Sequence, residues 1–387
     1  INSPYDEPKY YWYYDREHRS FEKREGRRTA GYVVATPDRW GFDDPGVFVP
    51  IELVNKIRPR IKAWQKNGYP GVSGITRRLL HHWQDPEERE IRRFFFCQLE
   101  AIETLIWLVE APPAEKQGIV IPKDEPNDPE SRAKGYKALT RYAVKMATGS
   151  GKTMVMALVI VWSYFNRLRE GSRRHADNFL IVAPNVIVYE RLAKDFADGK
   201  IFNQFPFIPP AWKSRWKLNI KLRGDESPLG PSGNLVVNNI HQLYESRQKT
   251  WTPESIIDAI LGPGVSADPA KPPQTLLERL KELDNLLVMN DEAHHVHDDE
   301  LKWNESLLSL HRSIPGGLKM WLDFSATPKT PNNTYYAWII CDYPLAQAVE
   351  DRIVKVPLIV HTVNKTDPER ITGANAVSYT HLTLPTN

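Results

Sequence analysis

The segment RYAVKMATGSGKTMVMALVIVWSYFNRL, residues 141–168, constrains the fold more than any other. A short apolar stretch, Arg141 to Met146, runs into a glycine turn and then into a long helical pattern. Gly149 and Gly151 permit a tight backbone path that points several N–H groups at one anion. The helix opening near Lys152 adds the positive end of its dipole. The usual pattern for such a loop is G-x-x-x-x-G-K-[ST], and Met146 stands where its first glycine belongs. The loss is tolerable, because phosphates are wrapped mainly by the glycines nearer the lysine. Thr148, Gly149, Ser150, Gly151, Lys152 and Thr153 therefore form the expected nucleotide loop. Lys152 is placed for the β- and γ-phosphates and the Thr153 hydroxyl for Mg²⁺. The bland alternative is a chance glycine-rich turn between a strand and a helix.

The pattern around this loop repeats. RYAVKM, FLIVA, LVV, NLLVM and KMWLDF are strand candidates, while TMVMALVIVWSYFNRL, VIVYERLAKDF and TLLERLKEL read as helices. Continuous apolar strands alternating with helices predict an α/β fold, with a parallel sheet covered on both faces. Before it, Val54, Ile57, Ile61 and Trp64 recur at helical spacing, with Pro59 as a candidate kink. Further helices are expected over about Ile75–Trp83 and Glu87–Glu110, the second stopped by Pro112-Pro113.

Downstream, LLVMNDEAHHVHD ends a strand at about Asn290 and continues with Asp291, Glu292, Ala293 and His294. Carboxylates at the carboxyl end of a parallel strand face the ligand crevice. Asp291 is placed to hold Mg²⁺ through water, and Glu292 to orient and deprotonate an attacking water. DEAH alone is a weak signal; after a phosphate loop, in this order, it is a strong one. His294, His295 and His297 with Asp298 and Asp299 raise a second metal question, but no cysteine or further spaced histidine completes a tetrahedral set. After KMWLDF, Ser325 and Thr327 of Ser-Ala-Thr put two hydroxyls at a strand end, where they can couple nucleotide state to movement.

These strings together resemble motifs I, II and III of superfamily 2 helicases. MATGSGKT, NDEAHH, LDFSATP and DYPLAQAVEDRIVKVP, with the early INSPYDEP and FFFCQLEAIETL, narrow the resemblance to the Res subunit of type III restriction enzymes. The resemblance implies a RecA-like P-loop NTPase domain of the DEAD/DEAH type, preceded by a smaller mixed or helical region. It implies ATP and Mg²⁺ as ligands, duplex DNA as the track and a modification methyltransferase subunit as partner. The expected organisation is an aromatic, charged and helical region over 1–85, the first RecA-like domain over 86–345, and a linker toward a second such domain over 346–376. By the same resemblance Gln98 stands where the family has an adenine-reading glutamine, whose amide can pair with adenine N6 and N7; an ordinary surface glutamine is the other reading. Pro184 and Asn185 match the region called motif Ia, and Asn238 and Asn239 a later strand-end loop, both of which touch the nucleic-acid backbone in relatives. For each pair an ordinary turn remains open.

After Lys329 the sequence departs from the family pattern: no GRxxR-like string supplies the arginines of motif VI. No convincing D…(D/E)xK nuclease site is present either; Glu300-Leu301-Lys302 has the letters but reads as a helix start beside the ATPase carboxylates. The tail VSYTHLTLPTN fits nothing before it and resembles a transposase-based sequencing adapter read in frame, so residues 377–387 are expected to be an artefact; a genuine polar tail is the alternative.

Composition narrows the remaining classes. Among 387 residues, Lys+Arg number 51 and Asp+Glu 48, which excludes a strongly basic nucleic-acid coat but not a local basic groove. Two cysteines, Cys97 and Cys341, are too few for a disulfide framework, and a reducing, cytoplasmic location is the simplest. No long uncharged apolar run predicts a membrane span. The 31 prolines indicate loops rather than disorder, because 12 Trp, 16 Tyr and 13 Phe must pack somewhere. Near the N-terminus YYWYYDREHRSFEKREGRR interleaves aromatic and basic residues, which either grip nucleic acid or form a solvated face. Three functions other than a type III motor stay open: a type I restriction or repair motor, a nucleotide-gated DNA-binding module, and an ATPase moving protein or RNA.

Overall fold

A computed structural model describes residues 1–15, 17–18, 20–34, 46–89, 92–123, 138–225, 227–239, 276–292, 299–330 and 334–356. Its first elements are antiparallel pairs. Strand β1 (Tyr10–Asp15) pairs with β2 (Ser20–Glu25), and β3 (Gly31–Val34) with β4 (Val47–Pro50). The aromatic and charged stretch near the N-terminus is thus a two-stranded ribbon, and β2 is exposed throughout. Its base is tied down by Glu350, whose carboxylate accepts from Trp12 N–H at 2.9 Å and pairs with Arg28 at 2.6 Å.

Three helices come next: α1 (Glu52–Lys66), α2 (Gly74–Gln84) and α3 (Phe96–Glu110). α1 buries Val54, Ile57, Ile61 and Trp64, the residues picked out by helical spacing, and runs on through Pro59. The helix expected over Glu87–Glu110 is shorter. A 3-10 turn occupies Glu87–Arg89, Phe94 turns into the core against Phe207, and Phe95 is extended, with φ −69° and ψ 151°. The Gln98 side chain accepts the Phe95 N–H at 3.0 Å, so α3 starts where that orphan donor is satisfied.

The rest of the chain builds one sheet. In chain order its strands and helices are β5 (Arg141–Met146), α4 (Lys152–Glu170), β6 (Asn178–Ala183), α5 (Val186–Phe196), α6 (Lys200–Gln204), β7 (Asn219–Lys221), β8 (Asn234–Asn239), α7 (Leu276–Lys281), β9 (Leu287–Asp291), α8 (Asp299–Ser313), β10 (Met320–Ser325), β11 (Ile339–Tyr343) and α9 (Leu345–Glu350). Among the described residues, seven strands lie in the order β11-β5-β10-β9-β6-β8-β7, and every pairing is parallel. β6, β8, β9, β10 and β11 are buried at every position, as a sheet covered on both faces requires. One face packs Phe179, Ile181, Met289 and Phe324 against α2, α3 and α4. The other packs Leu180, Val288 and Trp321 against Leu280 of α7 and Leu307 and Leu310 of α8. The α/β, RecA-like expectation therefore holds, with antiparallel strands in the smaller N-terminal region.

Two strands of this sheet had no sequence signal. β7 is too short for a period to show. β11 is interrupted by Asp342, whose burial is tolerated because Lys145 of β5 pairs with it at 2.5 Å and Gly31 N–H donates to it at 3.0 Å. α4 carries little amphipathic pattern because α2, α3 and the sheet enclose it on several sides. Residues 357–387, and with them most of the expected linker and the adapter-like tail, lie outside the described residues.

Met146 explains its own departure from the loop pattern. It is the last residue of β5, opposite Tyr343, and its side chain is fully buried in the core. It is not among the positive-φ residues, so nothing there requires glycine. Met146→Gly restores the usual pattern, yet it is expected to destabilise the chain by at least the about 2–5 kcal/mol of a buried methionine truncation. Urea unfolding checks this; an unchanged midpoint would show that the side chain carries no packing.

Candidate functional site

The sheet order places the site. The chain leaves β5 for β6, skipping the positions that β9 and β10 later fill, so the carboxyl ends of β5, β10 and β9 lie side by side. Ligands of open parallel sheets sit at such a reversal. Across these strands Arg141 of β5 donates to Asp323 of β10 at 2.7 Å, and Asn290 of β9 donates to the same carboxylate at 2.9 Å. Trp321 and Trp338 also donate to Asp323, which is fully buried. The network holds the three strands that carry the motifs in one register.

From β5 the chain turns through Ala147, Thr148, Gly149, Ser150 and Gly151. Gly149 and Gly151 have φ of 83° and 94°, the left-handed region that favours glycine. Ser150 N–H and Oγ both donate to Ala147 O, at 3.2 and 2.6 Å, closing the turn. Thr148 and Gly149 are exposed, while Ser150 and Lys152 are buried. Gly151 is required twice over: beyond its φ, a Cβ there would lie 2.2 Å from Gln98 Nε2.

Facing the loop, β9 ends at Asp291 and the chain bends through Glu292, whose φ is 51°. A glutamate in the left-handed region is a strained turn, and strain of this kind collects at functional sites. Lys152 Nζ lies 2.7 Å from Glu292 Oε1, both groups buried. Asp291 is 1% exposed, and its carboxylate pairs with Arg191 of α5. Burial pushes the Asp291 carboxyl above its ordinary range, and the charges of Arg191 and Lys152 oppose that rise. The pocket thus holds two acids, each already matched to a cation.

The other expected residues fall into three groups. Ser325 closes β10 at this edge, fully buried, and its Oγ accepts from Thr327 N–H at 3.0 Å; Thr327 is exposed. Gln98 abuts the loop but is engaged, donating to Ser150 O at 3.1 Å while accepting from Phe95. An adenine edge would have to replace those contacts. Asn185 caps α5, accepting from Val188 N–H at 2.9 Å, and Pro184 precedes it. Asn238 and Asn239 are not in a loop: they are the last residues of β8, 3% and 2% exposed, because that strand runs further than its apolar letters. His294, with His295 and His297, lies outside the described residues.

Arg191 carries no signal in the sequence. It sits on the polar face of an amphipathic helix, where nothing distinguishes it from a solvated arginine. Asp323 and Asn290 read only as letters of strands, since a period cannot show which polar residue meets which across a sheet.

The family described as "Type III restriction enzyme, res subunit" matches residues 93–330, more than half of the chain. The chain belongs to this family, whose domain is that of a helicase-like ATPase. No curated protein matches it. Among the described residues no helix is long and apolar enough to cross a membrane.

Gly151→Ala is expected to cost about 1–2 kcal/mol in backbone strain alone, plus the collision with Gln98. Adding Gln98→Ala should relieve only the collision. Thermal melting of the single and double variants measures both parts; full recovery in the double variant would show that the left-handed backbone costs nothing.

Proposed function

We propose that this member of the type III restriction enzyme res subunit family is the motor of a DNA translocase, binding ATP with Mg²⁺ and using its hydrolysis to move on duplex DNA. The observation that carries the reading is the buried Lys152–Glu292 pair at 2.7 Å, beneath a loop opened by Gly149 and Gly151. It sets the cation for the phosphates against the acid for the water, each neutralising the other.

Binding then exchanges partners. The γ-phosphate takes Lys152, and the Glu292 carboxylate is released beside it. Glu292 accepts a proton as a water oxygen attacks the γ-phosphorus and the bond to the ADP oxygen breaks. The loop N–H groups and the first turn of α4 hold the phosphate oxygens through the step. The residues present fit a divalent ion: Asp291 is a buried carboxylate already stabilised by a cation, and Thr153 offers a hydroxyl from the first turn of α4. These two residues would hold Mg²⁺, which when bound offsets the negative charge between the phosphates. Ser325 and Thr327, between the loop and β9, are the groups through which phosphate loss moves the edge of the sheet; Pro184 and Asn185 offer the adjacent contact to DNA.

Nucleotide binding and turnover, measured with and without duplex DNA, test the reading. Lys152→Ala should abolish binding. Glu292→Gln should retain it and lose about 10²-fold or more of turnover. Wild-type turnover by this chain should be slow, because an arginine supplied to the γ-phosphate is worth about 10³–10⁵ in rate and no GRxxR string occurs here. Brisk hydrolysis by Glu292→Gln would remove it as the base.

A further inference from the structure

The proposed mechanism leaves Arg191 without a role. The guanidinium reaches from α5 to Asp291, the residue assigned to Mg²⁺, and forms an ion pair with it. Arg191 pairs with Oδ2 of Asp291 and Glu292 N–H donates to Oδ1 at 3.1 Å, so both oxygens are engaged and an arriving ion must compete for them. Asp291 is closed off from solvent, whereas the Arg191 side chain is 47% exposed. One partner is fixed in the sheet and the other is free to leave. α5 is also the helix capped by Asn185, which the proposed function assigns to the nucleic-acid backbone.

We propose that Arg191 is a two-position switch: it holds Asp291 while the site is empty, and moves to a phosphate oxygen when one is available, opening Asp291 to Mg²⁺. The inference rests on the assignment of Asp291 to Mg²⁺ and goes beyond it by naming what controls access. Phosphate and metal then favour one another through a single residue, because each binds better when the other has shifted the guanidinium. Arginine suits the task, since its planar fork pairs equally well with a carboxylate and with a phosphate. The phosphate has two sources, the nucleotide and the DNA backbone.

The test is calorimetric titration of Mg²⁺ into the wild-type chain and Arg191→Gln. Each is titrated alone, with a non-hydrolysable ATP analogue, and with a duplex oligonucleotide lacking nucleotide. A half-exposed ion pair is worth up to about 1 kcal/mol, so Arg191→Gln alone should bind Mg²⁺ up to about fivefold more tightly than wild type. In wild type a phosphate source should raise Mg²⁺ affinity beyond what the nucleotide or DNA binds by itself in protein-free titrations; the arm in which that excess is lost in Arg191→Gln identifies the source. The source that acts should do so less in Arg191→Gln, and Arg191→Lys should restore part of the effect. Melting curves establish that each variant is folded. Asp291→Asn separates the two failures. If it loses Mg²⁺ binding while Arg191→Gln behaves as wild type in every arm, the switch is wrong and the metal assignment stands. If Mg²⁺ binding ignores both residues, the metal assignment falls and the switch with it.

Discussion

A buried carboxylate, Asp323, holds the centre of this structure together. It draws Arg141 from β5 and Asn290 from β9 onto one side chain of β10, and two indole N–H groups complete its shell. A charge at this depth is tolerable only with such a set of partners. Because the partners come from three neighbouring strands, a slip of one residue in any of them would leave buried polar groups unmatched. The register that aligns the glycine turn after β5, Asp291 and Ser325 is therefore secured from inside the sheet. Lys145 and Asp342 repeat the device between β5 and β11.

The crevice at the sheet edge uses charge differently. Asp323 is matched by partners from the sheet itself, whereas Asp291 and Glu292 are each paired with one cation, Arg191 and Lys152. In the proposed function these are the cations that a phosphate would take and the acids that the chemistry needs. Glu292 meets Lys152 from a left-handed backbone position, φ 51°. Above the sheet, α3 contributes from outside the strand–helix pattern: Gln98 fills the space that a side chain at Gly151 would need and supports the Ser150 carbonyl.

Much of this was legible in the letters. Continuous apolar runs revealed the strands because both faces of the sheet are covered. Gly149 and Gly151 marked the turn because few other residues adopt a left-handed φ of 83° or 94°. The letters failed where a polar residue is buried by partnership. β11 was hidden by Asp342, and Asn238 and Asn239 looked like a loop although β8 includes them. The N-terminal ribbon was hidden too, since aromatic and charged residues mixed along a strand show no clean alternation when both faces meet solvent or the ribbon's own side chains.

The sequence by itself determined the fold class and the glycine turn after β5, because hydrophobic period and glycine placement are local properties of the chain, and its motif strings carried the resemblance to the family. Tertiary structure decided which charges meet. Lys152 with Glu292, Asp291 with Arg191, and Arg141 with Asp323 are each separated by about a hundred residues or more and joined only by the order in which the strands assemble. Pairing energy depends on distance and burial, and neither is written in the spacing of letters.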